Sequence, residues 1–112
     1  MEILEKDQEG VTVLSFSGSL DALTSPEAME KLDTCVSHGK MQIVADLAGV
    51  DFISSAGLRV ILSGMKQTRQ EGGDFRLAAL PEGVHKVITM AGFTSILKLY
   101  PDAESAAASF RE

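Results

Sequence analysis

"VDFISSAGLRVIL", residues Val50–Leu62, joins a strand to a helix. The apolar residues before the two serines are typical of the end of a strand, and the apolar run "MQIVADL" just upstream indicates a strand covered on both faces. Beyond the serines, apolar residues return at helical spacing until a glycine pair ends the helix. These residues are Leu58, Ile61, Leu62 and Met65, followed by Gly72 and Gly73. The stretch therefore predicts a strand-to-helix junction with two hydroxyls, Ser54 and Ser55, at the turn.

The segments on either side of this junction alternate between strand and helix patterns. "EILEK" and "VTVLSFSG" flank a turn at Asp7–Gly10 and predict a hairpin, and "DFRLAAL" and "SILKLY" predict two further strands. Helices are predicted over "LTSPEAMEKLDTCVSHG", from Pro81 to Gly92, and over "PDAESAAASF". The order is β-β-α-β-α-β-α-β-α. Because strands that alternate with helices are joined by right-handed crossovers, we expect an α/β fold with a mixed, mostly parallel β-sheet and the helices packed on it.

The start of the first helix carries residues suited to capping. Thr24 and Glu27 stand three apart and predict a capping box, while Ser25 followed by Pro26 offers an alternative cap with proline at the first helical position. Further along the helix, Cys35 falls on the inner face and is interpreted as a small core residue.

The composition is that of a small acidic globular domain. The 112 residues carry a net charge of −6 and 45% of them are hydrophobic, which predicts a single domain over residues 1–112. The acidic balance argues against nucleic acid as a partner, because phosphate neutralisation needs clustered Lys and Arg. One cysteine cannot form an internal disulfide, and neither a signal peptide nor a membrane span is visible. We therefore expect a cytoplasmic protein without a membrane partner.

Catalytic and cofactor motifs are missing from the sequence. Ser55 has Gly57 two residues after it but Ile53 two residues before it, so it does not match the nucleophile elbow of hydrolases. Glycine-rich phosphate-binding motifs are absent. His38 and His85 lack neighbours at metal-ligand spacing and are interpreted as surface residues. We expect no catalytic residue, no metal and no cofactor.

Three aspartates fall near the predicted ends of strands. Asp46 and Asp51 are interpreted as turn formers or caps. Asp21 lies in the loop Gly18–Thr24 that follows the second strand. Because ligand-binding groups in such sheets gather beyond the carboxyl ends of the strands, we expect Asp21 to reach the same rim as Ser55.

The two serines at the junction allow two physical interpretations. Ser54 or Ser55 can cap the helix, a role worth about 0.5–2 kcal/mol, with Gly57 permitting close packing against the sheet. Alternatively, a phosphate on one serine would be favoured by the exposed N–H groups and the positive end of the helix dipole. It would add about −1.5 to −2 charge without requiring the fold to change. Spacing alone favours the capping role.

Three blocks of the sequence resemble one bacterial family. "GSLDALTSPEAMEKL", "IVADLAGVDFISSAGLRVIL" and "GGDFRLAALPEGVHKVITMAGF" are similar in order and spacing to the STAS domains of anti-sigma factor antagonists, and the likeness covers essentially the whole chain. The resemblance implies a STAS fold and a binding module that is not an enzyme. The unphosphorylated form would bind an anti-sigma factor that is also a serine kinase of the histidine-kinase-like ATPase fold, and so free the sigma factor. Phosphorylation by that kinase would end the complex, and a PPM-type (PP2C-like) phosphatase would reset it.

The resemblance also implies roles for particular residues. Ser55 matches the phosphorylated serine, and Ser54, which stands where many members have an aspartate, is the alternative acceptor. Asp21 matches a loop aspartate that helps to contact the kinase. Arg59 occupies a place that is often glycine, and it is interpreted either as a solvated surface residue or as a group that meets a carboxylate of the partner or a phosphate. The implied partner-binding residues are Asp21, Thr24, Ser54, Ser55, Ala56, Gly57, Leu58 and Arg59.

Other functions remain open to the sequence. A STAS protein with the same kinase and phosphatase chemistry can regulate a non-sigma output such as secretion or motility. A scaffold or transporter accessory subunit would use the fold for packing only, and the intact "ISSAGL" block and the lack of an appended domain weigh against it. A hydrolase using Ser55 would lack a base. We expect the chain to be a monomer or a weak dimer.

Overall fold

The elements of the computed structural model, which describes residues 1–112, follow the predicted order β-β-α-β-α-β-α-β-α. The strands are β1 (Glu2–Gln8), β2 (Val11–Leu20), β3 (Gln42–Ile53), β4 (Asp74–Ala78) and β5 (Leu99–Tyr100). The helices are α1 (Ser25–Ser37), α2 (Ser55–Gln70), α3 (Glu82–Met90) and α4 (Ala103–Ser109), and a 3₁₀ turn covers Phe93–Ser95.

The five strands form one mixed sheet in the order β1-β2-β3-β4-β5. β1 and β2 are antiparallel, and every other neighbouring pair is parallel. The hairpin is confirmed: Gln8 pairs with Val11 across a two-residue turn in which Glu9 and Gly10 have φ angles of 53° and 85°. Two positive φ angles in a two-residue loop are the mark of a type I′ turn, whose twist matches that of the flanking strands. The expected α/β class and mostly parallel sheet are also confirmed.

The helices lie on both faces of the sheet. Each parallel connection runs to the next strand, and because such crossovers share one hand, α1, α2 and α3 collect on the same face. Their apolar residues meet the sheet in the larger core, whose members include Leu14, Leu32, Ile43, Ile61, Leu77 and Ile88. α4 covers part of the other face, where its residues Ala106 and Ala107 pack in the smaller core with Val11, Val13 and Val44 of the sheet. Fully burying a Val, Leu or Ile side chain contributes about 1.5–3 kcal/mol, so these two layers hold the ends of the strands in fixed positions.

The interpretation of Asp51 as a turn former or cap is wrong, because β3 continues well beyond "MQIVADL" to Ile53. Asp46 keeps part of the expected role: its Oδ1 accepts a hydrogen bond from Ala48 N–H at 3.1 Å, as in an Asx turn, at a point where the register between β2 and β3 shifts. Both aspartates lie within the strand, and each accepts a hydrogen bond from a serine of β2. Ser15 Oγ donates to Asp46 Oδ2 at 3.2 Å, and Ser19 Oγ donates to Asp51 Oδ1 at 2.9 Å. These two serine–aspartate hydrogen bonds satisfy the polar side chains of this segment of β3 while it pairs with β2.

The last strand is much shorter than "SILKLY" predicts, since β5 contains only Leu99 and Tyr100. Upstream of it the backbone turns: Leu97 N–H donates to Phe93 O at 2.9 Å, and Arg69 Nη2 donates to Ile96 O at 2.6 Å. Leu97 is buried in the larger core. Local turn bonds and the burial of one leucine thus replace the sheet pairing that the apolar pattern indicates.

Candidate functional site

The carboxyl ends of β2 and β3 bring the Asp21 loop and the serine turn together. Leu20 and Ile53, the last residues of the two strands, are register partners. Immediately after them, Ser54 N–H donates to Leu20 O at 3.0 Å, so the chain entering α2 is bonded to the residue before Asp21. These two strand ends therefore place Asp21 and Ser55 at the same rim of the sheet, as expected.

Asp21 is held in place by its own loop. Its Oδ1 accepts hydrogen bonds from Leu23 N–H at 3.0 Å and from Thr24 N–H at 3.2 Å. The other carboxylate oxygen, Oδ2, accepts no hydrogen bond within residues 1–112, and the residue is half-buried. The carboxylate thus has a fixed orientation and one oxygen free to meet another molecule.

The capping box predicted for α1 is wrong. Thr24 occupies the N-cap position but its side chain accepts no bond from the helix. Instead, Thr24 Oγ1 donates to Ser19 O at 2.6 Å and accepts from Asp21 N–H at 3.0 Å. The alternative cap also fails, because Ser25 is the first helical residue and its buried hydroxyl has no partner. Thr24 therefore stabilises the loop and not the helix, because its hydroxyl bonds the backbone of both Ser19 and Asp21.

The start of α2 is uncapped as well. Ser54 takes the expected N-cap position with an extended backbone, but its hydroxyl makes no capping bond and is buried without a partner. The first bond of the helix runs from Leu58 N–H to Ser54 O at 2.9 Å. The N–H groups of Ser55, Ala56 and Gly57 therefore lack intrahelical acceptors. Ser55 is exposed and no acidic residue lies in the first turn, so no side chain of this turn offsets the positive end of the helix.

Gly57 sets the distance between α2 and the sheet. A Cβ atom added at this position would lie 2.5 Å from Leu20 O and 2.8 Å from Ile53 Cγ1. Only a residue without a side chain fits this contact, so the expected close packing is confirmed. The next residue, Leu58, packs against the larger core, while Arg59 returns to the surface.

Apolar surface adjoins the serine turn, and most of the residues that form it are not among the expected partner-binding residues. The Leu23 side chain is 91% exposed at the tip of the Asp21 loop. Between α1 and α2 runs a groove of about 420 Å³, lined by Ala22, Ser25, Pro26, Met29, Ala56, Arg59 and Val60. The only sequence signal for this surface is a lone leucine inside a polar loop. The groove itself depends on the spacing of two helices, which no local pattern specifies.

Other titratable groups lie away from this rim. His38 and His85 are both exposed, as expected, and His85 is on α3. Burial raises the pKa of the Cys35 thiol, which sits in the larger core as predicted. Residues 1–112 contain no cluster of three or more His, Cys, Asp or Glu side chains suited to a metal, and no helix has the length and apolar character to cross a membrane. The rim therefore offers a hydroxyl, a fixed carboxylate, a free cation and apolar surface, a set suited to binding another molecule.

The family model for the STAS domain matches residues 3–106. The chain belongs to the STAS domain family. Among its relatives, BtrV of Bordetella bronchiseptica, named as a proposed anti-sigma factor antagonist, is 35% identical over 103 residues, which cover 92% of this chain and 89% of that protein. The anti-sigma F factor antagonist of Paenibacillus polymyxa is 29% identical over 107 residues, which cover 95% and 92%.

Solved structures of STAS proteins agree with this architecture. The crystal structure of an anti-sigma factor antagonist from Mycobacterium paratuberculosis has a TM-score of 0.91 at 28% identity, covering 99% of this chain and 94% of that one. The Bacillus protein SpoIIAA is known in unphosphorylated and phosphorylated forms. Each form has a TM-score of 0.76 at 18% identity and covers 96% of this chain, with 96% and 98% of the two SpoIIAA chains aligned. At that identity the likeness concerns the fold alone, and both forms of SpoIIAA match this fold equally well.

Proposed function

We propose that this STAS protein is an anti-sigma factor antagonist that works by partner switching. In its unphosphorylated form it binds an anti-sigma factor, which thereby releases its sigma factor. The anti-sigma factor is also a serine kinase of the histidine-kinase-like ATPase fold. It phosphorylates Ser55, the complex separates, and a PPM-type serine phosphatase restores the binding form. The domain is the substrate of this cycle and performs no reaction itself.

The observation that carries the proposal is an exposed serine hydroxyl on an uncapped helix start, beside a fixed carboxylate. Ser55 is accessible, and Asp21 Oδ2 is free at the neighbouring strand end. Relatives of 29% and 35% identity bear names of anti-sigma factor antagonists, and SpoIIAA is itself phosphorylated in one of its solved forms. Together these favour Ser55 as the acceptor and the surrounding rim as the partner-binding surface. That surface is formed by Ser55 with Asp21, Thr24, Ala56 and Arg59, and it is supported from below by Gly57, Leu58 and Ser54, whose hydroxyl is buried.

Phosphoryl transfer to this site needs chemistry from the partner. Ser55 Oγ would attack the γ-phosphorus of ATP, the bond to ADP would break, and the serine proton would pass to a base on the kinase. The rim contains no histidine or lysine to take that proton, which suits a substrate better than a catalyst. Ser55 is preferred over Ser54 because the Ser54 hydroxyl is buried.

Release follows from electrostatics at the same rim. A phosphate adds about −1.5 to −2 charge next to Asp21, inside a surface that had been covered by the partner. A phosphate that the partner would cover must give up its hydration, and this desolvation together with repulsion from acidic groups at the interface weakens binding strongly. The domain need not change shape for the complex to separate.

The test is a phosphorylation assay with ATP and a candidate serine kinase of the histidine-kinase-like ATPase fold from the same organism. We expect one phosphate from ATP, located by peptide mass spectrometry on Ser55. Ser55→Ala should abolish transfer, and Ser54→Ala serves as the matched control one residue away and should retain it. Transfer that survives Ser55→Ala, or disappears in Ser54→Ala only, would overturn the site assignment.

A binding assay tests the switch itself. Ser55→Asp adds one negative charge at the acceptor position and should weaken capture of the kinase, whereas Ser55→Ala should retain it. Equal capture by the two variants contradicts a phosphate-controlled interface. If the captured kinase holds no sigma factor that this chain displaces, the output of the switch is a different one, such as secretion or motility.

A further inference from the structure

Arg59 is unusual among the four arginines because it has no carboxylate partner. The other three arginines are paired with carboxylates as Arg69–Asp74 at 2.9 Å, Arg76–Asp74 at 3.0 Å and Arg111–Glu9 at 3.2 Å. Arg59 forms neither a hydrogen bond nor an ion pair within residues 1–112, and it lies exposed along the groove between α1 and α2. A guanidinium keeps its charge at every physiological pH and presents five N–H donors. Arg59 is therefore an available anion-binding group at the rim of the candidate site.

The position of Arg59 on α2 directs it toward Ser55. The two residues are four apart in the helix, a spacing that puts their Cβ atoms about 5–6 Å from each other on one face. Arg59 lines the groove beside Ala56, and because helical side chains lean toward the N-terminus, its long side chain can reach the turn that contains Ser55. The same turn presents the free N–H groups described above, and the buried Ser54 hydroxyl, which has no partner, lies there too.

The charged groups on the surrounding elements do not compete for Arg59. The first turn of α2 has no acidic residue. Asp21, in the loop before α1, uses one oxygen for its loop, and Asp51 of β3 accepts from Ser19. Glu27, in the first turn of α1, is exposed and forms no ion pair. None of these carboxylates lies within ion-pair distance of the Arg59 guanidinium, so its charge is unneutralised until an anion arrives.

We propose that Arg59 is the intramolecular counter-ion of a phosphate on Ser55. It donates charge-assisted hydrogen bonds to the phosphate oxygens and holds the phosphate against the start of α2. Phosphorylation then does two things at once: it adds negative charge to the rim, and it withdraws the one free cation that a carboxylate of the partner can use. The inference rests on the proposed function for the presence of the phosphate, but the pairing is a property of this chain alone.

The test uses protein in which phosphoserine is incorporated at position 55 during translation, so no kinase is needed. Titration by ³¹P NMR then reports the second pKa of the phosphate, which is ordinarily about 6. Because a neighbouring cation favours the dianion, this pKa should lie lower in the otherwise unchanged chain than in Arg59→Gln, by roughly 0.3–0.7 units. The difference should shrink at high salt, and Arg59→Lys should retain part of it.

Lys66→Gln is the matched control. Lys66 is exposed on the same helix, eleven residues after Ser55 and thus on nearly the same face, but about 16 Å further along the axis. Its removal changes the net charge equally and should leave the phosphate pKa unchanged, since it lies beyond the screening length of about 8 Å. Equal effects of Arg59→Gln and Lys66→Gln, or no effect of either, would overturn the pairing. The kinase assay on Ser55 fails or succeeds separately, because the phosphate here does not depend on a kinase.

Discussion

Gly57 is the residue on which the geometry of the site depends most directly. Its missing side chain allows α2 to approach Leu20 O, the same carbonyl that accepts the Ser54 N–H. A glycine in a helix ordinarily lowers stability by about 0.5–1 kcal/mol relative to alanine. Here the close contact between α2 and the sheet offsets that loss. The contact fixes where the first turn of α2, and therefore Ser55, stands above the sheet.

We expect Gly57→Ala to destabilise the protein by about 1–3 kcal/mol in urea unfolding, because the new Cβ meets backbone that cannot move aside. Gly83→Ala in α3 is the control, since a Cβ there meets nothing within 4 Å. That substitution should be neutral or should stabilise by up to about 1 kcal/mol. A Gly57→Ala chain as stable as Gly83→Ala would show that the helix can shift freely.

The capping side chains show where local sequence rules stop at the residue scale. Thr24, Ser25 and Ser54 stand where helix caps are expected, and the helices begin there, yet none of their hydroxyls caps a helix. Helix boundaries follow from nearby residues and were predictable. The choice of hydroxyl partner depends on tertiary neighbours such as Ser19 O, which the spacing along the chain does not reveal.

At the scale of elements, α2 is anchored along its whole length, including its first turn, and at its start only the Ser55 side chain is exposed. Its residues Val60, Ile61 and Gly64 are buried, and Arg69 near its C-terminal end donates a hydrogen bond to Asp74 of β4. The exposed Ser55 side chain makes no contact that a phosphate would have to break. A modified Ser55 is thus accommodated by the existing turn.

Phosphorylated protein should therefore superpose on the unmodified protein. Amide chemical shifts are expected to change at residues 20–25 and 53–60 and to stay constant over 61–70, since the buried part of α2 has no reason to move. Widespread changes over residues 61–70 would instead indicate that α2 rearranges and that partner release proceeds through a change of shape.

Sequence patterns predicted the elements of this fold better than their lengths. The order of strands and helices follows from apolar periodicity and from glycine and proline breaks. β3 runs on to Ile53 because Ser15 and Ser19 satisfy Asp46 and Asp51 across strands, a pairing of residues more than thirty positions apart. β5 stops short because Leu97 turns into the core. Both outcomes depend on contacts that are distant in sequence.

At the scale of the whole molecule, Glu5 ties the edge strand to the helical layer. Its carboxylate accepts hydrogen bonds from Lys31 of α1 at 2.6 Å and from Lys40, which precedes β3. Hydrogen bonds from Lys31 and then from Lys40 lower the pKa of Glu5 from 4.5 to about 2. The unfolded chain therefore binds this proton at a higher pH than the folded chain does. The stability that Glu5 adds is complete above about pH 4.5 and is lost as the pH falls toward 2.

Glu5→Gln should lower the free energy of unfolding near neutral pH, and the gap to the unsubstituted protein should close as the pH falls through that window. Urea unfolding at several pH values measures the gap. Glu30→Gln, on α1 beside Lys31 but without an ion pair, controls for the removal of one negative charge. The same pH dependence in both variants would show that the ion pairs of Glu5 add nothing specific.

The bond from Ser54 N–H to Leu20 O joins residues thirty-four positions apart, and this has a consequence for quality control in the cell. Neither the serine turn nor its neighbouring carboxylate exists as a surface until β2 and β3 have paired along their whole length. In an unfolded chain Ser55 is an ordinary serine in a flexible segment, and Asp21 is not held beside it. Under the proposed function, a kinase that recognises this surface would therefore phosphorylate folded chains and pass over unfolded ones.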